Sequence, residues 1–144
     1  MFNYSLVDHT ADIAFEISAD TIEELFIGSA LAWKNSVTDD FETVKPEEKE
    51  ILIYEDTLEE LLVSFVSELN FQLSARKWIF HSIQKLRVEK ENAKGRMHLK
   101  AAVKGEALIA QSHSLKEEIK AVTFHQMDIE KRDNQFVTII VFDI

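Results

Sequence analysis

The sequence predicts an α+β fold, a single domain over residues 1–144, in which a largely antiparallel sheet of about six strands carries two main helices. Three observations favour this class. Segments of alternating apolar residues occur at both ends of the chain, two helices begin with the same capping string, and two strand pairs are separated by turn-forming residues. With 46 % apolar residues in 144, the chain can bury a substantial core and is not disordered.

Composition restricts the function further. The formal net charge of −10 argues against a free-standing nucleic-acid binder and suits a basic protein partner, a bound cation or simply solubility. The absence of cysteine excludes disulfides, thiolate chemistry and cysteine-based zinc sites. No apolar run is long enough to cross a bilayer, and the first residues lack a signal-peptide pattern. We therefore expect a cytoplasmic protein without membrane contact.

The first third of the chain predicts two strands and a helix. Residues 2–7 and 13–17 have strand patterns, so the polar segment 8–12 lies at a strand junction. Thr21 and Glu24 are spaced as a capping box and predict a helix from Ile22 to about residue 35. Residues 36–48, with the only proline, predict a loop.

The next segment repeats this pattern. Residues 49–55 predict a short strand, and Thr57 with Glu60 predicts the start of a second helix. The string Asp-Thr-x-Glu-Glu-Leu occurs at both helix starts, but the similarity fades after the first turn. We therefore interpret it as a shared capping solution and not a duplication. The second helix is apolar nearly all round, which predicts a central, buried helix.

The second half of the chain predicts two hairpins. Residues 78–91 and 96–108 form the first, with its turn at 92–95, and a polar connection follows at 110–116. Residues 119–130 and 136–142 form the second, around a turn at 132–135. A turn centred between Asp133 and Asn134 places Asp143 opposite Phe124, within two residues. The last strand is apolar on both faces, so we expect it inside the sheet.

Candidate chemistry is concentrated at the two ends of the chain. Asp8, His9 and Asp12 lie within five residues, which is typical of a polar turn but also of carboxylates placed on a cation. Asp143 closes the sequence, so the choice between these readings depends on whether the two ends meet. Lys120 follows two glutamates and is either an exposed strand lysine or a partner for a carboxylate or phosphate.

Three sequence blocks together resemble the archease family. They are Asp-His-Thr-Ala-Asp-Ile at 8–13, Ile-Lys-Ala-Val-Thr-Phe-His at 119–125 and Val-Phe-Asp-Ile at 141–144. The helix start at 57–63 and the Gly-Glu pair at 105–106 fit the same order, so the resemblance spans essentially the whole chain. The sequence departs from the usual family pattern at residues 64–67 and at Phe124, where tyrosine is common.

The resemblance implies an activator protein and not an enzyme. Archeases assist the RtcB-type RNA ligase of tRNA splicing and RNA repair by promoting guanylylation of the ligase histidine and multiple turnover, and they are described as chaperone-like. By position, the family's divalent-ion site falls on Asp12, Asp143 and Ile144. Such an oxygen-only set suits calcium, with magnesium as the alternative. Lys120, His9 and His125 are the residues expected to act in activation of the partner.

Two other functions remain open from the residues alone. A metal-dependent phosphoesterase would use Asp12 and Asp143 to hold the metal and His9 or His125 as a base. A general chaperone would need an exposed apolar patch, which sequence does not locate. The sequence disfavours the enzyme, because the five histidines are scattered and no nucleophile, base and metal set has a recognisable spacing. In the leading hypothesis, RNA is met only through the ligase.

Overall fold

The computed structural model describes residues 1–7, 12–91, 95–124 and 127–144, and its class is α+β as predicted. Within these ranges the chain forms eight strands and two helices. In chain order the elements are β1 (Phe2–Val7), β2 (Asp12–Ala19), α1 (Ile22–Val37), β3 (Glu47–Glu55), α2 (Leu58–Ser74), β4 (Trp78–Lys90), β5 (Met97–Ala107), β6 (Ala121–Thr123), β7 (Glu130–Arg132) and β8 (Gln135–Asp143).

The described strands form two antiparallel sheets, whereas the sequence predicted one sheet of about six strands. The first sheet has the order β1-β2-β8-β6, with β7 also paired to β8, and the second has the order β3-β5-β4. Both helices pack against strands of both sheets, so one hydrophobic core joins them. The sheet count differed because periodicity identifies strands but not the partners with which they pair.

Strand β8 lies inside the first sheet, as its apolar sequence predicted. It pairs with β2 along one side and with β6 and β7 along the other. Ile140 and Phe142 on one face and Val137 and Val141 on the other are buried. A strand covered on both faces and paired on both sides is held in a defined place, and so is Asp143 at its end.

The second predicted hairpin is only partly correct. Its turn is where we expected it: Asp133 and Asn134 have positive φ angles of 52° and 66°, as in a type I′ turn. The predicted strand 119–130, however, is interrupted between β6 and β7, where the Met127 N–H donates a hydrogen bond to the Phe124 carbonyl. Asp143 consequently faces Ala121, three residues from the predicted Phe124.

The two capping strings work as predicted. The Thr21 hydroxyl accepts a hydrogen bond from the Glu24 N–H at 3.1 Å, and the Thr57 hydroxyl accepts one from the Glu60 N–H at 3.1 Å. Each such cap stabilises its helix by about 1 kcal/mol. The repeated string therefore begins two different helices by the same local interaction.

The predicted central helix α2 is buried on one face only. Leu61, Phe65 and Leu69 are fully buried, whereas Phe71 near its C-terminal end is 46 % exposed. On the exposed side, Ser67 and Phe71 line one hollow with residues of β3 and another with residues 120–122. In the part of the chain that the structure describes, neither helix is long and apolar enough to span a membrane.

Candidate functional site

The two ends of the chain meet at one end of the first sheet. Asp12, the first residue of β2, is the direct cross-strand partner of Asp143, the last residue of β8. Ala121 of β6 faces Asp143 from the other side, and the Lys120 N–H donates a 2.8 Å hydrogen bond to the Asp143 carbonyl. The described residues of the three sequence blocks are therefore adjacent in space, although more than a hundred residues separate the first block from the other two.

The facing aspartates are an electrostatically unfavourable pair by themselves. Directly opposed cross-strand residues have Cβ atoms about 5 Å apart and point to the same face, so like charges there destabilise the sheet. A divalent cation would reverse this effect, because two carboxylates would then serve as ligands. Asp143 is exposed and Asp12 is partly buried, so an ion could reach both from solvent.

The donor set around this pair suits a hard cation. Among the described residues, no three His, Cys, Asp or Glu side chains lie close enough together to hold a metal ion. The described part of the site thus offers two carboxylates, with main-chain oxygens such as those of Ile144 next to Asp143. Calcium binds such oxygen sets and completes its shell with water, so the residues present fit the ion that the resemblance implies.

Lys120 adjoins the carboxylate pair but its side chain faces α2. It is exposed and lines a hollow of about 270 Å³ together with Ser67, Asn70, Phe71 and Ser74 of that helix. The register error in the sequence prediction does not separate Lys120 from Asp143, since the observed pairing brings their main chains into direct contact. The Lys120 ammonium group and the carboxylates of Asp12 and Asp143 therefore lie at the same end of the sheet.

Two partly buried hydrogen bonds fix the segment that precedes Lys120. The Trp33 indole N–H donates to the Asn70 side-chain oxygen at 2.9 Å, and the Asn70 amide nitrogen donates to the Ile119 carbonyl at 2.8 Å. Sequence reasoning missed Asn70. The sequence offers no clear signal for it, because α2 carries other polar residues and a second carboxamide, Gln72, in the same two turns.

A second network that the sequence did not predict lies around Glu106 in β5. Its carboxylate accepts hydrogen bonds from the Val44 N–H at 2.7 Å and the Lys45 N–H at 2.9 Å, and it contacts His113 Nε2 at 2.6 Å. The Ile109 N–H donates to His113 Nδ1, which assigns the ring proton to Nε2. His113 is therefore a buried histidine with both ring nitrogens hydrogen-bonded.

Glu106 stays ionised despite its burial. Burial raises the pKa of the Glu106 carboxyl, but the hydrogen bonds from two backbone N–H groups and from His113 together outweigh it, so the pKa lies below its ordinary range. The network joins the loop before β3 to the connection that leads to Lys120. In the sequence, Glu106 is a glutamate near the end of a strand in which apolar and basic residues alternate.

The remaining predicted site residues cannot be placed. His9 and His125 lie outside the described residues, as do Asp8 and the predicted turn residues 92–94. Their assignment stays a prediction. The described geometry brings together Asp12, Asp143, Lys120 and the main chain leading to Ile144.

Comparison with known proteins gives one consistent family. The model of the archease protein family (MTH1598/TM1083) matches residues 4–144. A protein named archease from Methanosarcina mazei is 35 % identical over 141 residues, which cover 98 % of this chain and 95 % of that protein. Another from Thermococcus kodakarensis is 39 % identical over 126 residues, covering 86 % of this chain and 85 % of that protein.

Solved structures agree with the sequence comparison. The solution structure of Methanobacterium thermoautotrophicum protein 1598 is 28 % identical, covers 98 % of both chains and superposes with a TM-score of 0.79. The crystal structure of an archease from Thermotoga maritima, described as a possible chaperone, is 27 % identical, covers 96 % of this chain and 94 % of that one, and has a TM-score of 0.64. The match of fold, sequence and chain coverage shows that this chain belongs to the archease family.

Proposed function

We propose that this protein is a non-enzymatic cytoplasmic activator of an RtcB-type RNA ligase, acting in tRNA splicing or RNA repair. The observation that carries the proposal is the convergence of Asp12, Asp143 and the Lys120 main chain at one sheet end. Family membership supplies the ligase as the expected partner. The activator promotes guanylylation of the ligase histidine and thereby repeated turnover.

The proposed roles follow from the chemistry of each group. Asp12, Asp143 and a main-chain oxygen of Ile144 hold a divalent cation, most suitably calcium, with magnesium as the alternative. The few protein ligands leave coordination positions open toward a carboxylate or phosphate of the partner. Lys120 contacts the partner from the hollow beside α2, because a compact ammonium suits a phosphate or carboxylate. His9 and His125 stay candidates for the same contact.

The direct test is ligase turnover with limiting enzyme. Adding the native protein should convert a single round of ligation into many rounds, and Asp12→Asn should abolish this gain. Asp133→Asn is the matched control, since it makes the same chemical change at the opposite end of β8, about 30 Å away. Asp133 also has a positive φ angle, which asparagine tolerates well. Equal activation by both variants would remove Asp12 from the mechanism.

Variants of Lys120 distinguish contact with the partner from metal binding. Lys120→Ala should leave calcium affinity unchanged while ligase guanylylation falls, because its side chain faces α2. Lys120→Arg should recover only part of the activity, since a planar guanidinium keeps the charge but not the compact geometry. Full activation by both variants would return Lys120 to the role of an exposed strand lysine.

The same preparations test the other functions. The Thermotoga maritima relative is described as a possible chaperone, and Phe71 and Phe124 are exposed apolar side chains on this chain. Suppression of aggregation of an unrelated heated protein, without any effect on the ligase, would favour the chaperone. Metal-dependent release of phosphate from a phosphate ester by the protein alone would favour the phosphoesterase.

A further inference from the structure

The second sheet has one face that the helices do not cover. Both helices pack on the face that carries Ile51, Leu99 and Val103, and residues at alternate positions point the other way. We call this opposite side the outer face. Its cross-strand rows are Glu48–Lys104–Ser82, Glu50–Ala102–Lys85, Leu52–Lys100–Arg87 and Tyr54–His98–Glu89.

A bulge in β4 places two of the cations on this face. Ile83 pairs with Val103 on the core face, but the register shifts at the next residue, so that Lys85 pairs with Ala102 on the outer face. Without the extra residue, Lys85 would share the core face with Ile83. The bulge therefore brings Lys85, and Arg87 after it, into line with Lys100.

The outer face has the opposite charge from the rest of the protein. Its rows contain four basic residues, and Arg96 adjoins Tyr54 at one end; these five cations face three carboxylates, giving a net +2. The whole chain carries −10. Two of the three carboxylates lie on β3, and the third is Glu89 near the end of β4. All four basic residues of the rows lie on β4 and β5, so the positive charge is concentrated on that half of the face.

The basic residues surround a hollow. Ala102 has the smallest side chain of the outer face and lies at the bottom of a cavity of about 440 Å³. The cavity is also lined by Lys85, Arg87, Lys100 and Glu50. Among the described residues, Arg87 pairs with Glu89 at 3.5 Å, while neither Lys85 nor Lys100 forms an ion pair. Two free ammonium groups beside an open hollow suit an anionic ligand.

An exposed aromatic ring lies in the next row. Tyr54 is 44 % exposed, although the apolar ring of a tyrosine is usually buried in large part. The Arg96 guanidinium lies 5.4 Å from the Tyr54 ring centroid, and the His98 ring is 5.5 Å away at an angle of 39°. The ring is thus held by its neighbours on the sheet while part of it stays open to a ligand.

We propose that the outer face binds single-stranded nucleic acid, with phosphates on Lys85, Arg87 and Lys100 and an unpaired base stacked on Tyr54. Cations that track the backbone and aromatic rings that stack bases are the two parts of such sites. Same-face positions recur about every 7 Å along a strand, so the four rows span roughly 20 Å, enough for a few nucleotides. A duplex would leave Tyr54 without a base to stack.

This binding goes beyond the proposed function, in which RNA is met only through the ligase, and it does not depend on it. The net charge of −10 argued against nucleic acid at the level of the whole sequence, but charges are screened beyond about 10 Å at 0.1 M salt. At that ionic strength a bound strand experiences the local +2 of the outer face more strongly than the distant carboxylates.

The test is fluorescence anisotropy of a labelled oligouridylate of about 10 nucleotides, titrated with the full chain at 0.1–0.4 M salt. Three phosphate contacts predict that log K falls against log salt with a slope of roughly −2. Lys100→Ala should weaken binding and reduce the slope by about 0.7. Tyr54→Leu should weaken binding roughly fivefold or more without changing the slope, because it removes stacking and no charge.

Matched controls separate this site from the rest of the protein. Lys131→Ala removes an exposed lysine from β7 of the other sheet and should change neither affinity nor slope. Asp12→Asn should bind the oligouridylate like the native protein, even if it fails to activate the ligase. Circular dichroism confirms that each variant is folded, which is expected for Lys100, Tyr54 and Lys131 because their side chains are exposed.

Three results would overturn the proposal. The first is equal binding by the native protein and by both Lys100→Ala and Tyr54→Leu. The second is a duplex of the same length binding as tightly as the single strand, since stacking on Tyr54 needs an unpaired base. The third is competition by polyglutamate as effective as by unlabelled oligouridylate, which would make the outer face a site for acidic peptides.

Discussion

Replacing Glu106 by glutamine should destabilise the protein by about 2–4 kcal/mol, although the two side chains have nearly the same shape. The native carboxylate accepts from two backbone N–H groups and from His113 Nε2, all within 2.9 Å. Glutamine can keep the two backbone bonds through its single oxygen. Its NH₂ group must then face His113.

No tautomer of His113 accommodates that NH₂ group. With the proton on Nε2, two donors face each other; with the proton on Nδ1, the clash moves to the Ile109 N–H, which donates there in the native protein. A buried donor left unpaired costs about 1–3 kcal/mol. Converting two charge-assisted bonds to neutral ones adds roughly 1 kcal/mol, which gives the range above.

The assay is urea unfolding followed by tryptophan fluorescence, for which Trp33 and Trp78 are both buried reporters. The matched control is Glu47→Gln, which makes the same change at an exposed carboxylate and should shift the free energy of unfolding by no more than about 0.5 kcal/mol. Equal stability of Glu106→Gln and Glu47→Gln would refute the argument that the network has only one satisfied protonation state.

Acid titration gives an independent test of the same network. Because the pKa of Glu106 is lowered in the folded protein, its ionised form contributes stability above the unfolded value of about 4.3. That contribution is lost as the pH falls from there through the folded pKa. The free energy of unfolding of Glu106→Gln should therefore decrease less than that of the native protein below pH 4.3 or so. Parallel decreases would show that Glu106 is not the group responsible.

Local structure was predictable from the sequence because its causes are local. Thr21 and Thr57 begin helices since each lies three residues before a glutamate and ahead of an apolar run. The turn at Asp133 and Asn134 followed from residues that tolerate positive φ angles. The interior position of β8 followed from its apolar residues on both faces.

Strand partners were less predictable, because they depend on residues far apart in sequence. Nothing in the sequence of residues 119–130 indicates that pairing with β8 stops after Thr123 and resumes only at Glu130. The division into two sheets has the same origin. Gly105 illustrates the difficulty: a Cβ there would lie 2.6 Å from the Trp78 ring and 2.3 Å from the Ile79 carbonyl, a contact visible only after β4 and β5 are paired.

The sequence predicted which segments contribute to the site but not how their residues are arranged in space. The resemblance related Asp12 to Asp143, and their direct pairing is what the structure adds. The sequence marked Glu106 only as part of the Gly-Glu pair in the resemblance, and His113 only as one of five scattered histidines. Only the fold shows that His113 Nε2 donates a hydrogen bond to the buried Glu106 carboxylate. Networks of buried polar groups are set by tertiary contacts, which composition and periodicity do not encode.

Two further predictions concern the surroundings of the carboxylate pair. Asn70→Ala should cost about 2–4 kcal/mol in urea unfolding, because the Trp33 indole N–H and the Ile119 carbonyl both lose their partner; Ser74→Ala, one turn further along the same helix, should cost well under 1 kcal/mol. A peptide tag after Ile144 should lower calcium affinity in isothermal titration more than an equal tag before Met1. The chain start lies at the far end of β2, seven residues or about 24 Å from Asp12, whereas Ile144 directly follows the paired Asp143. The tag adds bulk beside both carboxylates and replaces any charged terminal oxygen by a neutral amide, which weakens the attraction for a cation. Equal calcium affinity of the two tagged proteins would show that neither the space nor the charge next to Asp143 matters for the ion.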